Sequence, residues 1–517
     1  MLFNSLLFVF GFLPVVLIGF WILLRLSLRW VLIPYLVCIS LLFYGVWNPA
    51  YILLLVGSVV VNYLIGLRIA SEANRDRSTG LTLTLGVLVN LLLLGYYKYT
   101  GFFIEVTNDV LGLSNDIPRI ILPLAISFYT FQQIAWLIDV SRREVKPEGI
   151  GRYTTFVIFF PQLIAGPIVH YRELIPQFFG RRFGRYWTAN IVVGLVIFSI
   201  GLFKKAVIAD SAALYSSPIF DAVHGGQNVG LGLGWTAAMC YTIQLYFDFS
   251  GYSDMAIGLA RMFFIKLPPN FHSPLRATSI ADYWRRWHMT LQRFIAGYMF
   301  QPLALPLARF AATKGLGRWP SFWVTLALPT LFIFIAVGFW HGAGMTFIVF
   351  GLMHGIYLTI NEAWRLHYKK RRKKDPPRLV HNSAYWLLTL VAVAFANVMF
   401  RAESVSDAVN IWFGMVQIHQ VVGFAQVLPY TLSECVSKPL VLILLSSFLI
   451  FLCPNTQQIM GRYSPVFDWA DWKSVAPSFF KFQFRLTVGW ALVFGVVLFL
   501  GIAFISRGQT EFIYFNF

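Results

Sequence analysis

The chain has nine histidines, and one of them stands where chemistry at a membrane would want it. His341 closes a long apolar run in Gly338-Phe-Trp-His-Gly-Ala-Gly344. An ionisable side chain in a membrane segment is costly and by default marks a functional site. The flanking glycines let a second backbone or a substrate come close. A neutral imidazole there can take a proton from a hydroxyl. The spacing fits catalysis or ion conduction, and it fits equally a structural histidine with its hydrogen bonds satisfied. His288 lies in Asp282-Tyr-Trp-Arg-Arg-Trp-His-Met-Thr-Leu291. Read as one helix, this places Trp284, Trp287, His288 and Leu291 on one face while Arg285 and Arg286 lean away. The simplest use of that pattern is an interfacial anchor with tryptophans at headgroup level. His354, in Gly351-Leu-Met-His-Gly355, reads as a packing histidine.

Asp248 and Asp254 bracket Ser250-Gly251-Tyr252-Ser253. Paired acids at this depth would bind a cation or relay protons. The reading preferred on pattern is that they cap a helix starting near Ser253 and pair with nearby arginines. The four cysteines lack a CxxC spacing and a histidine at ligand distance, so no zinc site or disulfide framework is indicated. There is no GxSxG, P-loop, dinucleotide fingerprint or HExxH, which leaves hydrolase, ATPase and zinc-protease readings without support.

The elements that must carry these residues are membrane helices. Of 517 residues, 58% are hydrophobic and 12% charged, whereas soluble domains carry about 25% charge. Mean hydropathy is +0.68. About a dozen apolar runs approach the length that crosses ~30 Å of hydrocarbon. They are 6–24, 30–47, 50–67, 81–97, 120–138, 188–203, 231–247, 322–340, 346–360, 385–400, 439–452 and 486–504. The expectation is an all-α polytopic membrane protein with about 11–13 transmembrane helices. Three stretches, 153–171, 246–274 and 282–300, are apolar but broken or charged. Such backbone is tolerated at membrane depth only against protein or a water-filled cavity, so they read as re-entrant or interfacial helices lining a site.

The net charge of +19 needs no nucleic acid. Lys and Arg collect in loops that stay cytoplasmic, and the cluster at 365–378 alone holds eight basic residues and one acid. It reads as a cytoplasmic loop on anionic headgroups. Basic groups at 25–29, 68–77 and 142–152 fall on one side if each early run crosses once. That places the N-terminus outside the cytoplasm, with the first helix retained. One membrane domain spans 1–517, in three parts: N-terminal spans 1–120, a core 121–360, and C-terminal spans 361–517 after the basic loop. No internal repeat of the kind found in secondary transporters is visible.

Several blocks in order resemble the membrane-bound O-acyltransferase family. More narrowly, they are similar to its bacterial branch that acetylates alginate, cellulose or peptidoglycan and D-alanylates teichoic acids. They are Leu122-Pro-Leu-Ala-Ile-Ser-Phe-Tyr-Thr-Phe131, Phe160-Pro-Gln-Leu-Ile-Ala-Gly-Pro167, Gln244-Leu-Tyr-Phe-Asp-Phe-Ser-Gly-Tyr-Ser-Asp-Met-Ala-Ile-Gly258, Asn270-Phe-His-Ser-Pro274, Tyr283-Trp-Arg-Arg-Trp-His-Met-Thr-Leu291 and Phe339-Trp-His-Gly-Ala343. The resemblance implies a ring of helices around a central funnel. It puts the family's catalytic histidine on His341 and its second signature position on His288. It also implies substrate contacts from Trp284, Arg285, Trp287, Trp340, Asp248, Ser250 and Tyr252, and no metal. The implied reaction moves an acyl group, as acetyl from acetyl-CoA or from an acyl carrier, across a bacterial inner membrane to hydroxyls of an exported polysaccharide. No cofactor is bound, and the expected partners are the bilayer and an extracytoplasmic acetyltransferase or polysaccharide-export protein. Two departures touch the acceptor or partner surface. Ala296 and Gly297 replace an Arg-Asp pair ahead of a missing Gly-Gly turn, and Gln162 stands where the alginate enzymes have His. The rival classes are a proton- or cation-coupled transporter using intramembrane Asp and His, and a non-catalytic scaffold.

Overall fold

Leucine- and valine-rich runs without charge can satisfy their backbone in lipid only as helices, and the chain obeys. The computed structural model describes residues 2–118, 120–180, 183–368, 379–417, 432–505 and 512–513. Residues 369–378 of the basic cluster and His419 lie outside these. Among the described residues there are helices and no strands. The protein is an all-α, multi-pass membrane protein.

The chain folds as two compact units. Unit 1 comprises Met1–Gly201, Tyr252–Pro269 and Tyr463–Asp468. It contains α1 (Leu7–Arg25), α2 (Arg29–Gly45), α3 (Ala50–Asn74), α4 (Gly80–Leu111), α5 (Ile126–Ser141), α6 (Ile150–Ile158) and α7 (Tyr171–Phe179). Two long helices, α8 (Trp187–His224) and α9 (Leu231–Met262), contribute to both units. Unit 2 comprises Leu202–Gly251, Asn270–Arg462 and Trp469–Phe517. Its further helices are α10 (Ile280–Arg286), α11 (Met289–Phe294), α12 (Gln301–Thr313), α13 (Arg318–His341), α14 (Met345–Tyr368), α15 (Leu379–Arg401), α16 (Val405–Val416), α17 (Leu432–Phe451) and α18 (Val488–Ile505).

Seven helices among the described residues are long and apolar enough to cross a bilayer, and three more are apolar but shorter. Other apolar helices, such as α5, fall below that length. It is 16 residues long, and every residue from Ile126 to Val140 except Phe131 and Ile138 is buried. Its apolar character serves protein packing as well as lipid.

Unit 1 is held by polar groups that would be intolerable alone in hydrocarbon. Asn62 and Asn90 exchange side-chain hydrogen bonds at 3.2 and 2.6 Å, joining α3 to α4. Gln133 of α5 donates to Ser58 and accepts from Tyr153 of α6. Interhelical bonds of this kind contribute about 0.6–2 kcal/mol each in membranes.

In unit 2 the packing that matters most is the antiparallel pair α13–α14, turned by Gly342-Ala343-Gly344. A Cβ on Gly338 would lie 2.2 Å from the Phe347 carbonyl, and one on Gly351 2.2 Å from the Phe334 carbonyl. Absence of side chains lets the backbones touch, as at small-residue membrane interfaces. This contact sets the end of α13, and with it His341. Gly351→Leu should therefore separate the pair, at a cost of about 3 kcal/mol or more. The check is a fluorescence-detected thermal melt in detergent. A melting temperature equal to wild type would show that the two glycines do not hold the hairpin.

Candidate active site

His341 is the last residue of α13 and is buried. Its ring lies edge-on to Trp340 at 4.8 Å, to Phe400 at 5.5 Å and to Phe350 at 6.3 Å between centroids. The helix ends there because Gly342 is extended (φ −159°), and a Cβ on Gly342 would strike the Phe347 ring. The imidazole is thus placed at a helix terminus and enclosed by aromatic faces.

His288 is positioned differently. The expected continuous helix over 282–300 breaks at Trp287, and His288 adopts a left-handed backbone (φ +43°) between α10 and α11. Sharing of one helical face by Trp284, Trp287, His288 and Leu291 therefore does not hold. The strain of that backbone is offset by pairing with an extended segment. His272 N–H donates to the Arg286 carbonyl at 3.0 Å, and Met289 N–H to the Asn270 carbonyl at 2.9 Å. The Asn270 side-chain oxygen lies 3.0 Å from His288 Nδ1 and accepts from the Thr290 hydroxyl at 2.9 Å. It lies also 3.4 Å from the Thr290 N–H. Because that oxygen is an acceptor, the network assigns the proton to Nδ1. Nε2 then carries a lone pair. Burial pushes the His288 pKa down to about 3, so the ring is neutral at physiological pH. A neutral ring protonated on Nδ1 accepts a hydrogen bond at Nε2.

The two histidines are linked by an unbroken series of ring contacts within unit 2. It runs from His341 to Phe350, His354, Tyr283, Trp287, Phe249 and His288. His354 accepts from the Trp284 indole N–H at 3.1 Å, which is the packing role its pattern suggested.

Other sequence candidates scatter. Trp284 and Trp287 are buried in the aromatic series, and Trp340 flanks His341. Arg285 points to the surface and pairs with Asp282 at 2.9 Å. Tyr252 belongs to unit 1, where it stacks on Phe3 at 5.0 Å. Ser250 is buried, and its hydroxyl has no hydrogen-bond partner among the described residues.

Asp248 needs a correction. No helix starts near Ser253: α9 runs unbroken for 32 residues, and neither Asp248 nor Asp254 caps it. Asp248 instead meets the buried ammonium of Lys205 at 2.7 Å and accepts from the Ile513 N–H at 3.0 Å. Lys205 also meets Asp210 at 2.8 Å. Sequence reasoning missed Lys205, Asp210 and Asn270. The signal for Lys205 was a lysine pair closing an apolar run, which reads as a loop. The helix continues through it with one widened turn at Lys204–Ala209. Asp248 is thereby occupied by a cation from the protein itself.

The fold and these motifs define a family, and comparison with known proteins agrees: residues 140–402 match the membrane-bound O-acyltransferase family. The chain belongs to that family, and it is an acyltransferase. Among its relatives is the peptidoglycan O-acetyltransferase of Helicobacter pylori, 40% identical over 81% of each chain. A probable alginate O-acetylase of Pseudomonas aeruginosa is 36% identical over 80% of this chain and 75% of its own. A teichoic acid D-alanyltransferase of Streptococcus thermophilus is 28% identical over 56% of this chain and 70% of its own.

Two substitutions separate positioning from burial. Asn270→Ala should unlock the His288 tautomer and lower kcat roughly 10–100-fold, with KM little changed. Rescue of kcat by Asn270→Gln would not be expected, since the longer arm misplaces the oxygen. An unaltered kcat in Asn270→Ala would remove Asn270 from the site. Lys205→Met should destabilise the fold by about 3–5 kcal/mol, because it leaves a buried carboxylate unpaired. Lys205→Met with Asp248→Asn should recover most of that in the same thermal melt. Equal melting of the single and double variants would refute the pairing.

Proposed function

We propose that this protein moves an acetyl group from acetyl-CoA on the cytoplasmic side of a bacterial inner membrane to hydroxyls of an exported polysaccharide, directly or through an extracytoplasmic partner protein. The observation that carries this reading is the similarity, over four fifths of the chain, to proteins named for peptidoglycan and alginate O-acetylation. Orientation follows from charge. The basic residues at 25–29, 68–77, 142–152 and 365–378 belong on the cytoplasmic side by the positive-inside rule, which leaves the N-terminus outside.

In this reading His341 is the general base. Its imidazole takes the proton of an acceptor hydroxyl as that oxygen attacks the thioester carbonyl. The tetrahedral intermediate collapses by breaking the carbon–sulfur bond, and the thiolate leaves and collects the proton. A thiolate is a good leaving group, so the step needs base and orientation more than it needs a metal. His288, with Nδ1 held by Asn270, presents Nε2 as an acceptor. It therefore suits holding a donor group of the substrate other than the attacking hydroxyl, whose single proton goes to His341, and it does not suit stabilising an oxyanion, which needs a donor. Trp340 beside His341 and Trp287 in the aromatic series keep the role of substrate walls. The buried Ser250 hydroxyl on α9 is offered to a polar group of the substrate. Trp284, held by His354, and Asp248, held by Lys205, act by supporting those walls. Arg285 and Tyr252, at the surface and in unit 1, retain substrate contact only through parts of the donor or acceptor that reach them.

His341→Ala should lower acetyl-dependent release of free thiol roughly 10²–10⁴-fold, with a melting profile like wild type. The assay uses purified protein in nanodiscs with acetyl-CoA and an acceptor glycan, repeated in membranes carrying the neighbouring gene products. Turnover indifferent to His341 would sink the mechanism.

A further inference from the structure

Beyond the histidines, unit 2 carries a second concave site on a different element. The last ring of α17, Phe451, packs on Trp386 of α15 at 5.0 Å between centroids. The Leu275 carbonyl accepts from the same Trp386 indole at 2.9 Å. Arg276 donates to the Ile450 carbonyl at 2.6 Å and to the Cys453 carbonyl. The chain therefore leaves α17 on the side of the bilayer where α15 begins. That is the side of the basic connection 369–378.

The segment that follows is largely without regular structure, and it is tied down by named bonds. Asn455 donates to the Ser273 hydroxyl at 2.9 Å, and His272 Nε2 donates to the Val475 carbonyl at 2.8 Å. Gln458 donates to the Ala476 carbonyl at 2.8 Å, and Phe484 N–H to the Ile459 carbonyl at 2.8 Å. These bonds shape a cavity of about 520 Å³ whose lining includes Arg462, Lys473, Lys481, Gln458, Gln483 and Trp469. The acids of the segment, Asp468 and Asp471, are not among its lining residues. Arg462, Lys473 and Lys481 are exposed. The ion pairs among the described residues involve none of the three.

Three cations around one concavity repel each other, and a multiply charged anion relieves that cost. A carboxylate carries one negative charge, whereas a phosphate ester carries up to two and several acceptor oxygens. The Gln483 amide adds a donor, and the indole adds an apolar face for the organic part. Exposed apolar side chains neighbour the lining in sequence: Phe479 is 75%, Phe480 40% and Leu486 57% exposed. The cavity lining ends at Gln483, shortly before α18 begins at Val488.

We propose that this cavity is a phosphate-ester binding site on the cytoplasmic face, an assignment of side that rests on the orientation argued above. Two molecules offer that chemistry there: the nucleotide end of the thioester donor and the headgroup of an anionic phospholipid. The wall of the site is continuous in sequence with the His288 network: His272 and Ser273, which hold that wall, follow two and three residues after Asn270, which holds His288.

The test uses full-length protein in nanodiscs with two probes. One arm titrates adenosine 3′,5′-bisphosphate into phosphatidylcholine discs and reads binding by thermophoresis. The other replaces part of the phosphatidylcholine with phosphatidylglycerol and reads the shift in melting temperature. The variant combines Arg462→Ala, Lys473→Ala and Lys481→Ala, all exposed and therefore foldable. Lys473→Arg with Lys481→Arg serves as the charge-preserving control. Loss of nucleotide affinity by about tenfold or more in the triple variant assigns the donor. Loss of the phosphatidylglycerol shift alone assigns the lipid. Wild type and triple variant alike in both arms would overturn the site. His341→Ala should bind both probes as wild type does, so failure of the transfer mechanism and failure of this site are separately visible.

Discussion

A polar group that enters hydrocarbon must find its partner inside the protein, and the structure is arranged around that constraint. Water is not there to solvate it, so an unpaired charge or amide costs several kcal/mol. Lys205 sits between Asp210 and Asp248. Asn62 pairs with Asn90. The same rule holds Asn270, Thr290 and His288 in one network. What distinguishes the last cluster is the outcome. Its proton placement leaves a nitrogen lone pair on a neutral ring, which is a chemically useful residue of an otherwise structural arrangement.

Position follows from small residues and interrupted helices. Glycines at 338 and 351 bring α13 and α14 into backbone contact, and Gly342 ends α13 at His341. A left-handed turn at His288 ends α10 and starts α11. Both histidines thus stand at helix ends, buried against aromatic rings. A relay of aromatic rings joins the two places and makes their spacing a property of a packed, poorly deformable core.

Much of this was legible in the chain. His341 was readable from an ionisable residue between glycines at the end of an apolar run, and the helical class from composition. The broken character of 153–171 was readable from Pro161, Gly166 and Pro167, and the helix does break at Phe159 and beyond Leu163. The rest failed for physical reasons. Asp248 was misread as a cap because its partner Lys205 lies 43 positions away in the sequence and is brought close by tertiary packing alone. The break at His288 was invisible because the residues that offset its strain, 270–272, pair with it across a gap in sequence. Helices such as α5 show that an apolar run can serve packing against protein as well as lipid. Local physics left open whether His341 is catalytic or structural, and the family resemblance is what favours the catalytic role proposed for it.

The central claim is that His341 serves as the base when an acyl group passes from a thioester on one face of the bilayer to a hydroxyl on the other. The most direct measurement is sided transfer in sealed proteoliposomes of known protein orientation. Acetyl-CoA labelled in the acetyl group would be enclosed on the face carrying residues 365–378, and glycan acceptor supplied on the opposite face. The account predicts labelled ester on the acceptor, dependent on His341, with no label when donor and acceptor exchange sides. Equal labelling from either side, or labelling that survives His341→Ala, would contradict it.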